Sequence, residues 1–499
     1  MNVSILRSVT IVSGIAALQL VTQFALQVVI AERFGATSVI DAFNAALTIP
    51  TTLNTILTVS LSYVLIPTLT LSLASNRHDP DAWKLATATG TWLVAISTLL
   101  CLLLSLGSDQ AITLLCPGFD PDTHRLASQC LAILAWQLEL GVIVAWLTSI
   151  ENASMGFAWP SFTAFLGAAL NLVLAYAWLS YGILGYAWSI MVSGLIQVIL
   201  LAIPLRASLA SWALHHPKLK TMLLQWLPLL LGGAYVRIDP IVDRFLGSQL
   251  EEGSIAHLGY ATRFIQALLS IASGGLLTVL FPKLSKVDAS DPGTELSHRI
   301  KMGLHAFLLI VTPIVMGGLL FAAPVVRDLL ERGSFTAVDT REVARLFQIL
   351  LWMFAGATIA DLFARGHYTL GQYWRPTCVT VICISLAYVF KFLTTKTWGI
   401  DGIAWATSGY FVVVTAVLAI TLHRAVGCYV DLRLMATWLR SLAVTALACG
   451  IAWFIDSRID PYGTFVAAPI AAITYLGIQY PYVQQLRKGK GSGNTSPSP

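Results

Sequence analysis

The sequence predicts an all-α, polytopic membrane protein of about fourteen transmembrane helices. Three observations predict it. Of the 499 residues, 57% are hydrophobic and 11% charged, where a soluble globular chain carries about 25% charged residues; mean hydropathy is +0.75. Apolar runs of roughly 20 residues, the length a helix needs to cross a bilayer, recur along the chain. One such run, Trp226 to Gly247, carries four full charges: Arg237, Asp239, Asp243 and Arg244. A charge near the membrane centre costs several kcal/mol by insertion scales, so such residues face a bundle interior or a watery cavity. The segment points to a polar internal path.

In chain order the spans fall near 10–31, 42–73, 84–107, 126–149, 158–180, 183–204 and 223–247. They continue near 254–280, 302–325, 343–364, 376–393, 399–422, 434–455 and 463–483. The first lacks a clean small-residue cleavage site and is long enough to span, which argues against a cleaved signal peptide. The second is expected to be interrupted at Pro50 and Pro67. The seventh is expected to kink at Pro240, which lacks a backbone donor. An even count places both termini on one side. Loops on that side hold Arg77, Lys84, Arg206, Lys218, Lys220, Lys283, Arg299, Arg365, Arg375 and Arg424. The opposite loops are poorer in Lys and Arg by roughly twofold, which puts both termini in the cytoplasm.

His215–Lys220 is a basic, Pro-containing linker. It separates an expected N-terminal lobe, 1–210, from a C-terminal lobe, 221–425. Two additional helices occupy 430–486, and the tail 487–499 is Gly/Ser/Pro-rich and expected to be disordered. In each half, the first span carries intramembrane polar groups and the second is broken by Gly or Pro. Corresponding polar or broken helices in two halves point to a central transport site.

Other classes are excluded. The net charge of +5 reads as cytoplasmic-loop Lys and Arg, not a nucleic-acid surface. The seven cysteines form no close CxxC pair, so neither a disulfide framework nor a metal site is indicated. There is no P-loop, HExxH or nucleophile elbow. The chain is expected to be a transporter rather than an enzyme, without a cofactor. Its drive is left to the membrane potential, H+, Na+ or the substrate gradient.

Within span seven, Arg237 and Arg244 share one helix face, and Asp239 and Asp243 another. They line a cavity, or they neutralise one another and join helices; Arg244 also has the option of snorkelling outward. Arg263 in span eight binds phosphate bidentately, pairs with Asp243 or Asp239, or does both. Glu139 near the middle of span four is a proton carrier or a neutral packing acid. Asp361 and Asp41 are similar but nearer span ends, and Asp41 is expected to cap the helix starting at Ala42. Gln19, Gln23 and Gln27 recur every four residues and share one face. They hydrogen-bond sugar hydroxyls or neighbouring helices. Lys391 ends span eleven and is expected to snorkel to the interface.

Several stretches resemble MurJ/MviN-type lipid II flippases. They are Phe34-Gly35-Ala36, Asp41-Ala42-Phe43, Ile49-Pro50 and Val242-Asp243-Arg244-Phe245-Leu246. They continue with Gly253-Ser254, Gly259-Tyr260-Ala261-Thr262-Arg263, Leu280-Phe281-Pro282-Lys283-Leu284-Ser285 and Glu331-Arg332-Gly333-Ser334-Phe335-Thr336. The resemblance implies two six-helix lobes around a cationic cavity, plus two C-terminal helices forming a lipid-facing groove. It implies alternating access that carries a polyprenyl-diphosphate-linked saccharide, lipid II at first choice, outward across a bacterial inner membrane. It further implies a role in peptidoglycan and cell-wall biogenesis and cell shape, beside cell-wall synthases.

On this reading Arg263, Arg237 and Arg244 contact the head group, with Gln19, Gln23, Gln27 and Asn54 as polar contacts. Asp239, Asp243, Glu139, Lys391 and Asp41 couple ions or pair charges. The chain also departs from the family. Leu20 and Leu26 stand where the family has span-one arginines, Asn54 and Thr55 replace a span-two basic pair, and Thr262 replaces an aspartate. Lys391 aligns with an asparagine that helps some members hold sodium, so its ammonium would replace that cation. The alternatives are export of another lipid-linked glycan or lipid, or a non-transporting scaffold.

Overall fold

The computed structural model describes residues 3–73, 79–205, 213–272, 292–429, 431–456, 467 and 469–479. Among these residues the regular structure is helical, without strands. The first helices are α1 (Val3–Phe34), α2 (Ser38–Leu73), α3 (Pro80–Leu106), α4 (Ser108–Leu115) and α5 (Pro121–Leu134). Next come α6 (Trp136–Ala153), α7 (Ala158–Ala177), α8 (Gly182–Ala202), α9 (Leu219–Arg237), α10 (Asp239–Gly247) and α11 (Ser254–Ala272). The last are α12 (Pro292–Leu330), α13 (Ala337–Thr369), α14 (Trp374–Val426), α15 (Leu432–Asp456) and α16 (Pro469–Gln479).

Ten helical stretches among the described residues are long and apolar enough to cross a membrane. One of them, α14, holds two predicted spans, because the backbone leaves helical geometry at Gly399 (φ 56°, ψ −135°). Span seven is α9 with α10, span eight begins as α11, and α16 lies within span fourteen. The segment Leu280–Ser285 and the tail 487–499 lie outside the described residues.

Two expectations about α2 change. The helix runs unbroken through Pro50 and Pro67. Hydroxyls beside both prolines add bonds to nearby carbonyls: Thr51 to Leu47 at 2.7 Å and Thr68 to Val64 at 2.6 Å. Such bonds help membrane helices tolerate proline. The helix also starts at Ser38, so Asp41 lies in its first turn instead of capping it.

The chain forms two compact units: 1–259 with 332–336, and 260–331 with 337–499. In the first, α2, α3, α6 and α9 build one core around Leu65, Trp83, Leu138, Trp146 and Trp226. The Trp146 indole donates to the Ala86 carbonyl at 2.9 Å, and that of Trp226 to Ser60 Oγ at 2.8 Å. In the second, Ser408 donates to the Ile349 carbonyl and Thr415 to that of Gly356, both at 2.8 Å, joining α14 to α13. Tyr475 of α16 donates to Leu309 of α12 at 2.7 Å. Without a hydrophobic drive between helices in lipid, such hydroxyl bonds and close packing hold them together.

Candidate functional site

The charged segment divides at Ile238, between α9 and α10. Pro240 causes this. It stands in the first turn of α10, where its missing N–H costs nothing. Arg237 ends α9 and is exposed, whereas Asp239, Asp243 and Arg244 are half-buried. Asp239 opens α10, where a carboxylate suits the positive end of the helix dipole. Arg244 is tied down: its Nε donates to Thr48 Oγ1 at 3.2 Å and its Nη1 to the Ile255 carbonyl at 3.3 Å. Its charge also acts favourably on Asp41. Arg244 thus fastens α10 to α2 and to the start of α11.

Asp41, 4% exposed, caps a helix far away in sequence. Its carboxylate accepts from Gly253 N at 2.7 Å and Ala256 N at 2.6 Å, groups that open α11. The arrangement is reciprocal, since Glu252 Oε1 accepts from Ser38 N, the first residue of α2, at 3.0 Å. Gly253 makes this turn at φ +83°, and a Cβ there would collide with the Ala36 carbonyl. A further loop locks in. Ser334 N donates to the Glu32 carbonyl at 2.8 Å and Ser334 Oγ to that of Arg33 at 3.0 Å. Gly333, at φ +58°, presses on the Glu32 carbonyl. The loops at 32–38, 248–254 and 332–336 therefore interlock at one end of the first unit.

Other predicted residues stand apart from this interlock. On α1, Gln23 is exposed and Gln19 and Gln27 are half-buried. Asn54 lies over Gly141 of α6, and its Oδ1 is buried without a hydrogen-bond partner. Glu139 Oε2 accepts from Ser97 Oγ at 2.5 Å. Arg263, half-buried in α11, belongs to the second unit, as does Lys391. Lys391 is 0% exposed, which overturns the expectation that it snorkels: its ammonium sits inside the unit. Asp361 pairs with Arg365 at 3.0 Å along one face of α13.

Reading the sequence missed Thr48, Glu252, Glu32 and Ser334. Their partners are distant; the signals were the turn glycines beside them and, for Ser334, its place in a family-like stretch. It also missed the ion pairs Lys301–Asp431 and Arg345–Asp401, the latter at 3.1 Å. Among the described residues no group of His, Cys, Asp or Glu is arranged to hold a metal ion.

The interlocked loops are those that carry the sequence resemblance. The family profile described as lipid II flippase MurJ matches residues 30–473. The chain belongs to the MurJ family. Lipid II flippase MurJ of Burkholderia cenocepacia is 25% identical over 399 residues, covering 76% of each chain. The probable lipid II flippase MurJ of Vibrio cholerae is 27% identical over 426 residues, covering 81% of this chain and 80% of that one. Among solved structures, a lipid II flippase MurJ in an inward closed conformation superposes with a TM-score of 0.80. It is 18% identical and covers 95% of this chain and 99% of its own. An inward-facing MATE-family multidrug transporter of the MOP superfamily gives 0.66 at 14% identity, with 82% and 94% covered. These two carry the fold. This MurJ-family chain is a multi-pass protein of the bacterial inner membrane, and its family is one of transporters, not enzymes.

Proposed function

We propose that this MurJ-family protein flips lipid II, a polyprenyl-diphosphate-linked saccharide for peptidoglycan synthesis, from the cytoplasmic to the outer leaflet by alternating access. The observation that carries the reading is the family match over residues 30–473. Arg263 is the principal contact for the diphosphate, because its guanidinium stays charged and binds phosphate bidentately. Arg237, exposed at the helix break, is a second anionic contact. Gln19, Gln23 and Gln27 hydrogen-bond sugar hydroxyls. Arg244 acts by fastening α10 to α2 and the start of α11. Both termini are cytoplasmic, as the loop charges favour, and cell-wall synthases take up the product. The buried ammonium of Lys391 replaces a bound sodium ion, so exchanging sodium for potassium leaves the flipping rate unchanged; a sodium-dependent rate would contradict this.

Complementation tests the reading. The chain rescues cells depleted of their lipid II flippase, and Arg263→Ala abolishes rescue with normal membrane insertion. Rescue untouched by Arg263→Ala removes the proposed contact. A second reading, export of another lipid-linked glycan, draws on Leu20 and Leu26 at positions where the family resemblance implies arginines. Correct insertion without rescue would favour it.

A further inference from the structure

Helices α5 and α6 form one membrane-length stretch, Pro121–Ala153, and Ala135 at their junction keeps helical dihedrals (φ −51°, ψ −38°). Two side chains of α3 reach the carbonyls there: Ser105 donates to Ala132 at 2.9 Å and Cys101 to Ala135 at 3.1 Å. One turn further, Glu139 stands half-buried with Ser97 Oγ at 2.5 Å from its Oε2. Thr98 flanks the same carboxyl. Cys101 is the ionisable neighbour from α3. Among the described residues, the other elements packed on α6, namely α2, α5, α7 and α8, bring no charged group that acts on Glu139. Lys84 of α3 is thirteen residues before Ser97, about 20 Å along the helix.

A carboxylate inside the membrane without a cation is expensive, and its inexpensive form is the neutral acid. The surroundings suit both forms. Ser97 has one hydroxyl proton and three acceptors: Glu139, the Leu93 carbonyl at 2.8 Å and the Val94 carbonyl at 3.2 Å. With Glu139 ionised, Ser97 donates to the carboxylate. When Glu139 takes up one proton, its O–H donates to Ser97 Oγ, and the hydroxyl turns back to Leu93. Neither state strands a buried partner, the usual penalty for changing the charge of a buried group.

We propose that Glu139, exchanging its hydrogen bond with Ser97, is a proton-binding site of the first unit that couples a proton gradient to transport. The coupling half of this inference rests on the flippase reading above; the binding half does not. Infrared difference spectra of the full-length protein between acid and alkaline pH test the binding half. A carbonyl band of a protonated carboxylic acid appears in acid and is missing from Glu139→Gln. Ser97→Ala keeps the band but holds it to more alkaline pH, because the carboxylate has lost a donor. In proteoliposomes with a fluorescent lipid II analogue, a pH gradient accelerates flipping by the wild type, and Glu139→Gln loses that dependence. An unchanged band in Glu139→Gln, or an unchanged response to the gradient, overturns the proposal. A Glu139 band in a protein that does not flip the analogue leaves the proton site standing and removes the cargo.

Discussion

Asp41 holds two buried backbone N–H groups with one carboxylate. Truncation strands both, and a buried unsatisfied donor costs about 1–3 kcal/mol. Asp41→Ala should therefore destabilise the detergent-solubilised protein by roughly 2–4 kcal/mol. Asp41→Asn keeps one acceptor and should lose less. Equal stability of the alanine variant and the wild type would show that the carboxylate is not a cap. Gly253→Ala is more severe, since it adds a collision with Ala36 to a left-handed backbone costing about 1–2 kcal/mol. Asp41 also marks how far residue-level reading reaches. Its type and position announced a helix cap, but its partner Gly253, just before the capped helix, lies 212 residues later, and no local pattern encodes that partner. Lys391 failed for the same reason. Its place at the end of an apolar run suggests an interface, whereas tertiary packing buries it completely.

Among the elements, α9 joins the α2–α3–α6 core of the first unit through Leu219, Met222 and Trp226, and Trp226 also bonds to Ser60. Trp226→Ala should cost about 3–5 kcal/mol, and Trp226→Phe, which loses only the hydrogen bond, about 1 kcal/mol. Similar losses in thermal unfolding for the two variants would contradict anchoring by packing. At the start of α15, Asp431 accepts from Leu434 N at 2.8 Å and pairs with Lys301. The Lys301 ammonium holds the Asp431 carboxyl below its ordinary range. A carboxylate depressed in the folded state stabilises above its unfolded pKa, about 3.9, and the contribution fades as pH falls through the lower folded value. Asp431→Asn should flatten that acid-side loss in a pH series of melting temperatures; an unchanged acid limb would exclude the pair as a contributor.

The helices were legible because an apolar run of membrane length leaves few alternatives. The break at Ile238 was legible because Pro240 lacks a donor. The partner of Glu139 was not, since Ser97 lies on α3, 42 residues earlier.

For the whole molecule, the family and the fold follow from stretches spread over most of the chain, and the profile match spans the same stretches. The arrangement of the charged segment did not follow from them. Arg237, Asp239, Asp243 and Arg244 read as a cluster that lines a cavity or joins helices, with outward snorkelling also open to Arg244; Arg244 is committed to Thr48 and Ile255. Several family-like motifs turn out to hold one end of the first unit together, through Asp41, Gly253, Gly333 and Ser334. On the proposed reading Arg263 and Arg237 supply the positive charge for the diphosphate, and the glutamines of α1 are neutral contacts. The central claim is that such a molecule carries lipid II outward. The direct measurement is the leaflet distribution of lipid II after depletion of this protein in its own bacterium. Accumulation in the cytoplasmic leaflet is the predicted result, and an unchanged distribution between the leaflets would contradict the account.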